Sequence, residues 1–327
     1  METLFSNYTS TAEINEHLGF LDVDIPYKKL KAKIKTATND IIDIIGIETY
    51  QIAVNAYKQQ HFEFVLPQDS PNNLITTEIA SDLVYAVQNP IAIQAYRLFA
   101  PHNDLAHTSS GRLNRLEDNQ KSPFQWMIDK DDDALERSYY QSLDILIKFL
   151  DANITSWKES EQYKQTHKLF LNNAFDFDSF FPIGNSRLLL LKLAPGIRLC
   201  ENKEIKPRIG AELFASLKED PSSNESLLDK IKEACAYYSL AWAMRRLSVQ
   251  LFPEGALQGY KSDRLNMKAS KPAENNEPYA VAAYFEIDAK NAFDEIESMI
   301  YELNKLPTDK VLPMTYTVEA SDSFLNT

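Results

Sequence analysis

The chain has 327 residues, 44% of them hydrophobic and 25% charged, with a formal net charge of −13. The length suggests two domains of about 150 residues, each able to bury a core, and the composition is that of a soluble globular protein. The acidity argues against a surface that grips nucleic-acid phosphates, and eight glycines are too few for Gly-rich phosphate loops or tight-hairpin architectures.

In chain order, Ser10-Thr11-Ala12-Glu13 has capping-box spacing and opens a short helix. Asp24 and Pro26 signal a second start, after which Leu30, Ile34, Ala37, Ile41 and Ile44 share one helical face and Gly46 is the natural stop. A helix over about 48–59 is expected next, then a loop over 62–71. The pattern from about Thr77 to Ala100 predicts a helix kinked at Pro90 and closed by Pro101.

Residues 101–133 show no sustained periodicity and are expected to form a long extended arm carrying Phe124 and Trp126. Leu135, Tyr139, Leu143, Leu146 and Leu150 mark a strong amphipathic helix that closes a first module at about residue 158.

The second module, 159–327, opens with a helix over about 161–171 and an aromatic link, 175–182. A helix follows, capped by Asn185 or Ser186 and bent by Pro195. Pro221-Ser222-Ser223-Asn224 reads as a turn and cap. Leu228, Ile231, Cys235, Tyr238 and Trp242 trace the face of a long helix. Residues 253–279 are expected to form a second irregular arm. Phe285, Ala289, Ala292, Ile296, Met299 and Leu303 trace a closing helix, and Met314 to Val318 alternates like a lone C-terminal strand carrying Tyr316.

The two halves echo each other. Pro101, Leu105, Arg112 and Leu113 share the spacing Pro-x3-Leu-x6-Arg-Leu with Pro253, Leu257, Arg264 and Leu265. Upstream lie Ile45-Gly46-Ile47-Glu48 and Ile209-Gly210-Ala211-Glu212. Downstream, each long helix runs to an asparagine, Asn153 and Asn304. A duplicated helical module points to architecture before chemistry.

Catalytic and metal signatures are not evident. His102 and His107 are five apart, not the i,i+4 spacing of a metal pair. Asp131-Asp132-Asp133 lacks the alternating oxygens and Gly turn of a calcium loop and reads as the acidic start of a helix at Leu135. Arg245-Arg246 reads as the solvated edge of a helix.

Cys200 and Cys235 read as reduced thiols of a cytosolic protein, with a disulfide left open. The first five residues lack the basic and apolar regions of a signal peptide. The longest wholly apolar run, Leu188 to Leu191, is far short of the ~20 residues that span a bilayer. No cofactor, metal or membrane association is expected.

Asp118-Asn119-Gln120-Lys121 with Phe124-Gln125-Trp126, the Trp157, Ser160, Tyr163 step, Asn185-Ser186-Arg187 before a Leu-rich helix, and Ile205 to Leu213 resemble a family of proteins from Bacteroidota prophages and mobile elements. The resemblance covers most of residues 10–265. The opening of the chain also resembles phage head–tail connector proteins, small helical proteins that form rings below the portal and clasp one another with extended arms.

The patterning, the duplication and the missing catalytic set predict a mainly α protein of two similar tandem helical-bundle modules with no enzymatic activity, and the resemblance implies a double-module connector. It would act as a neck adaptor of the virion, made in the host cytoplasm. Its partners would be copies of itself, the portal protein, and tail or stopper proteins, with DNA passing nearby unbound. Arg112, Phe124, Trp126, Arg264 and Tyr316 are the candidate contacts between subunits. Two other classes stay open: a soluble helical adaptor or regulatory protein, and an enzyme whose site the sequence does not display.

Overall fold

The computed structural model describes residues 2–5, 10–21, 25–62, 75–109, 111–114, 123–247, 249–252, 255–261, 268–272 and 277–304. The protein is mainly α-helical, and its buried apolar side chains form two clusters.

The first cluster gathers α1 (Ser10–Leu18), α2 (Tyr27–Ile45), α3 (Ile47–His61), α4 (Thr77–Asn103) and the C-terminal two-thirds of α5 (Gln125–Asn153). Leu30, Ile34, Ala37 and Ile41 are buried as their spacing predicts. The fifth buried position is Ile45; Ile44 is only partly covered. Each large aliphatic side chain buried in this way contributes about 1.5–3 kcal/mol. The N-terminal residues join the same core. Leu4 and Phe5 are buried, the Leu4 carbonyl accepts from Gln88 Nε2 at 2.6 Å, and the Glu2 carbonyl accepts from Tyr50 OH at 3.0 Å.

Two short helices, α6 (Thr155–Glu159) and α7 (Glu161–His167), lead out of the first cluster. The second begins at Leu169 and includes α8 (Ala174–Asp178), α9 (Arg187–Cys200), a π-helical turn (Glu201–Ile205), α10 (Lys206–Ile209), α11 (Ala211–Glu219), α12 (Glu225–Arg246) and α13 (Glu277–Asn304). Ser186 caps α9 by accepting from the Leu189 N–H, and Asn224 caps α12 by accepting from the Leu227 N–H. On α13, Ala289, Ala292 and Ile296 are buried and Phe285 and Met299 half-buried, but Leu303 is exposed.

The same order of elements recurs. Gly46 separates α2 from α3 with φ 82° and ψ 153°; Gly210 separates α10 from α11 with φ 83° and ψ 155°. Both glycine N–H groups bond four residues back, to Ile42 and Lys206, and both carbonyls accept from the residue four ahead, Tyr50 and Phe214. Each half then continues as a long helix, an antiparallel hairpin and a second long helix. These are α4, β1 (Leu105–Thr108), β2 (Gly111–Asn114) and α5 in the first half. In the second they are α12, β3 (Val249–Phe252), β4 (Gly255–Lys261) and α13, with β5 (Lys268–Pro272) added beside β4. The last helices end at Asn153 and Asn304.

Several expectations are corrected. The segment 101–133 is not an extended arm. Helix α4 runs on through Pro101 to Asn103, a hairpin follows, and α5 starts ten residues before Leu135. Near a helix end the carbonyl that proline leaves unpaired can be solvated, so Pro101 is tolerated there. Asp131 to Asp133 therefore lie in the second and third turns of α5, not ahead of a helix start.

The segment 253–279 likewise contains β4, β5 and the first turn of α13. The Pro-x3-Leu-x6-Arg-Leu spacing does not fall on equivalent places. Pro101 is helical and Leu105 opens the first strand of its hairpin, whereas Leu257 sits on the second strand of the other. The proposed C-terminal strand at 314–318 and the loop over 63–71 lie outside the described residues.

Candidate functional site

The two clusters meet where the last turns of α5 face the start of α9. Asp144 accepts from the Leu188 N–H at 2.9 Å and from Ser186 Oγ at 3.2 Å. Asp151 accepts from Arg187 Nε at 2.8 Å and from Trp157 Nε1 at 2.8 Å, and Arg187 also reaches Thr166 Oγ1 at 3.2 Å. Arg187 is buried. These bonds satisfy amides of the α9 N-terminus and two of the three guanidinium nitrogens, so their role is to fix one core against the other. Beside them lies an open groove of about 480 Å³ lined by Tyr140, Ile145, Leu189 and Lys192 among others. Lys192 sits 4.5 Å from the Tyr140 ring, and burial lowers its pKa.

In the second cluster a buried ion pair joins α11 to the π turn. Lys218 Nζ is 2.9 Å from Glu201 Oε2, 2.7 Å from the Lys168 carbonyl and 3.6 Å from the Phe170 ring centroid. The Phe170 N–H donates to the other Glu201 oxygen. Burial raises the Glu201 pKa and lowers that of Lys218, each opposed by its partner. Every polar atom of this pair is matched by protein, so it reads as a structural staple. Sequence reasoning missed it because no motif links residues 17 apart.

Cys200 and Cys235 are both fully buried and both free. The hydrogen bond to Cys200 and burial push the Cys235 thiol up. An enclosed thiol with a raised pKa is a poor nucleophile, which argues against such a role for Cys235. Among the described residues no group of His, Cys, Asp and Glu side chains is placed to hold a metal, and no helix is long and apolar enough to cross a membrane. Arg245 is not a solvated edge: it pairs with Glu286 and lies over the Tyr279 ring, tying α12 to α13.

The surface offers contact chemistry instead. Phe124, the N-cap residue of α5, is 70% exposed, with Trp126 and Met127 in the first turn also exposed. The corresponding helix of the other half, α13, exposes Tyr279, Val281, Tyr284 and Ile287 near its start. Each hairpin is thus followed by a helix whose opening turns present apolar side chains to solvent. Arg112 lies on β2 opposite His107; Arg264 and Tyr316 fall outside the described residues. The structure therefore brings Phe124 and Trp126 together, at a helix start and not in an extended arm.

Two charged patches complete the picture. Asp104, after α4, lies close enough to Asp131 and Asp132 of α5 that their charges add to burial in raising its carboxyl pKa. Helix α2 begins with Lys28, Lys29, Lys31, Lys33 and Lys35, exposed except for the half-buried Lys33. None of the five has an ion-pair partner among the described residues. Lys28 and Lys29 stand in the first turn, which holds no acidic residue, at the positive end of the helix dipole. Lys29/Lys33 and Lys31/Lys35 repel at i,i+4.

No curated protein and no solved structure matches the chain. A family does match, over residues 41–167 and 205–303, more than half of the length. Each matched segment begins five residues before one of the two positive-φ glycines that separate consecutive helices, 41 ahead of Gly46 and 205 ahead of Gly210. The family carries the description "Family of unknown function", and the chain belongs to this family, DUF6712.

Proposed function

We propose that the chain is a structural protein of a phage neck, a head–tail connector built from two copies of one helical module and assembled as a ring around the DNA channel. The observation that carries this reading is the recurrence of one element order in both halves, down to glycines of the same backbone conformation. Each copy ends in a hairpin and a helix with exposed apolar side chains at its start. Repeated modules with projecting hairpins suit subunits that clasp neighbours, and closed rings are the common outcome of head-to-tail contacts. The Glu201–Lys218 and Asp151–Arg187 pairs each join separate elements, which favours a structural role for them. The resemblance noted in the sequence supplies the phage context. In this reading the partners are further copies, the portal above and tail or stopper proteins below. The subunit waits in the host cytoplasm until assembly, and DNA passes without being held.

Quantitative mass spectrometry of gradient-purified particles tests the proposal. Roughly a dozen copies per particle, as a closed cyclic ring would give, supports it. Absence from particles, with the protein confined to the soluble lysate, overturns it and favours a second reading, a soluble adaptor that uses the groove beside Tyr140 and Ile145 to hold a partner helix.

A further inference from the structure

The lysine face of α2 and the start of α5 are complementary in chemistry. Lys28, Lys29, Lys31, Lys33 and Lys35 spread over the solvent half of α2, opposite the buried Leu30, Ile34 and Ala37. Five ammonium groups occupy two turns without a carboxylate among them. The first two turns of α5 carry the opposite set. Phe124, Trp126 and Met127 are exposed, and Asp129 and Asp131 sit one turn further on, beside Asp132 and near Asp104. Trp126 and the half-buried Asp129 are i,i+3 neighbours on one side of the helix, and Met127 and the exposed Asp131 are i,i+4 neighbours on the other, so each apolar side chain has a carboxylate beside it.

We propose that the lysine face of α2 on one copy docks on the aromatic and acidic start of α5 on the next, a head-to-tail contact between two copies of this chain. The proposal rests on reading the chain as a self-assembling structural protein. Ammonium groups bind carboxylates through charge and aromatic faces through cation–π attraction, while their methylene stems cover apolar surface. The fold already makes one such contact on this surface, Lys130 Nζ lying 4.9 Å from the Trp126 ring centroid.

Charge complementarity selects a second copy as occupant. The lysines of α2 and the aspartates of α5 carry opposite charges, and at contact their attraction opposes the long-range repulsion between two chains of net charge −13. Made once per pair of copies, a contact between these two different surfaces is heterologous and propagates from copy to copy until it closes.

A charge swap in the full-length protein tests this. One variant carries Lys28→Glu, Lys31→Glu and Lys35→Glu; the other carries Asp129→Lys and Asp131→Lys, with Asp131→Lys alone as a milder form if the pair disturbs helicity. Sedimentation velocity at low and high salt is the readout. The wild type is expected to self-associate at low salt and to dissociate as salt rises, since charges are screened beyond about 10 Å at 0.1 M. Each variant alone should associate at least about tenfold more weakly, and an equimolar mixture should recover the wild-type assembly, since every contact in an alternating array is again between opposite charges.

A monomeric wild type, variants that associate as the wild type does, or a mixture that does not recover would overturn the contact. So would tight binding of a DNA duplex that the lysine reversal abolishes while self-association is unchanged, which would assign the lysines to phosphate. Particle composition separates this proposal from the one it rests on. Normal incorporation of both variants into particles sinks the contact and keeps the neck assignment. Recovery by charge swap, with the protein absent from particles, keeps the contact and sinks the neck.

Discussion

Arg187, the first residue of α9, holds Asp151 near the end of α5 through an Nε to Oδ2 bond of 2.8 Å, and this bond crosses from one hydrophobic core to the other. The same carboxylate accepts from the Trp157 indole, so one aspartate anchors the end of the first core and the start of the second. Arg187→Met removes a buried cation and leaves Asp151 short of a partner. The expected loss is about 3 kcal/mol, measured by urea unfolding. If the cores unfold as one unit in the wild type, the variant should separate them into two transitions.

Lys218→Met should make stability depend on pH in a defined direction. Burial already raises the Glu201 pKa, and losing the ammonium raises it further. A carboxyl whose folded pKa exceeds its unfolded value holds its proton more tightly in the folded state. Stability then falls as pH rises from the unfolded value through the folded one. The variant should lose more stability, relative to wild type, at pH 8 than at pH 5, and adding Glu201→Gln should flatten that dependence. A penalty equal at both pH values would show that Glu201 is not the group responsible.

Gly46→Ala and Gly210→Ala should both destabilise. A φ near +80° with ψ near 155° belongs to a region reserved for glycine, and strain there costs about 1–3 kcal/mol. At Gly210 a new Cβ meets nothing within 4 Å, so strain acts alone; at Gly46 it would meet Gln162 Oε1 at 2.8 Å. That atom ends a flexible side chain, so Gly46→Ala should cost only slightly more. Thermal unfolding of the two variants checks the order.

Trp126→Ala should leave the helical content and melting temperature nearly unchanged, because the side chain is exposed at the helix start and belongs to neither core. The same variant is expected to lower incorporation into particles. Normal incorporation would remove Trp126 from the contact.

Cys200 and Cys235 should resist a thiol-specific reagent in the native protein and react fully in denaturant, since both side chains are buried. Rapid native labelling would show that α9 and α12 separate readily.

The helices whose apolar positions recur on one face were legible in the sequence. Leu30, Ile34 and Ala37 define α2, and Leu135, Tyr139, Leu143, Leu146 and Leu150 define the buried length of α5, all of them buried. What failed was the part of α5 before Leu135, because its first turns are solvated and carry no periodic signal. The hairpins were missed for a related reason: strands of four residues, as at 105–108 and 111–114, are too short for alternation to stand out. The glycine steps were found because a positive φ constrains residue type. The Glu201–Lys218 staple was invisible because it depends on tertiary approach, and the basic face of α2 was masked by the average charge of the chain.

The five residues from Glu201 to Ile205 wind wider than the α-helices on either side. In a continuous α-helix each residue advances the side chains by about 100°, so an extra residue absorbed in a π turn rotates everything after it. The helix that enters as α9 packs along α12, and the stretch that leaves as α10 faces α13, where Arg208 bonds Glu297 at 3.0 Å. Helix α2, which leads to Gly46 as this stretch leads to Gly210, has no such turn and lies along α4. Deleting one residue from this turn would bring the helix back into phase, swinging Gly210 and all of α11 about a quarter turn away from their present neighbours.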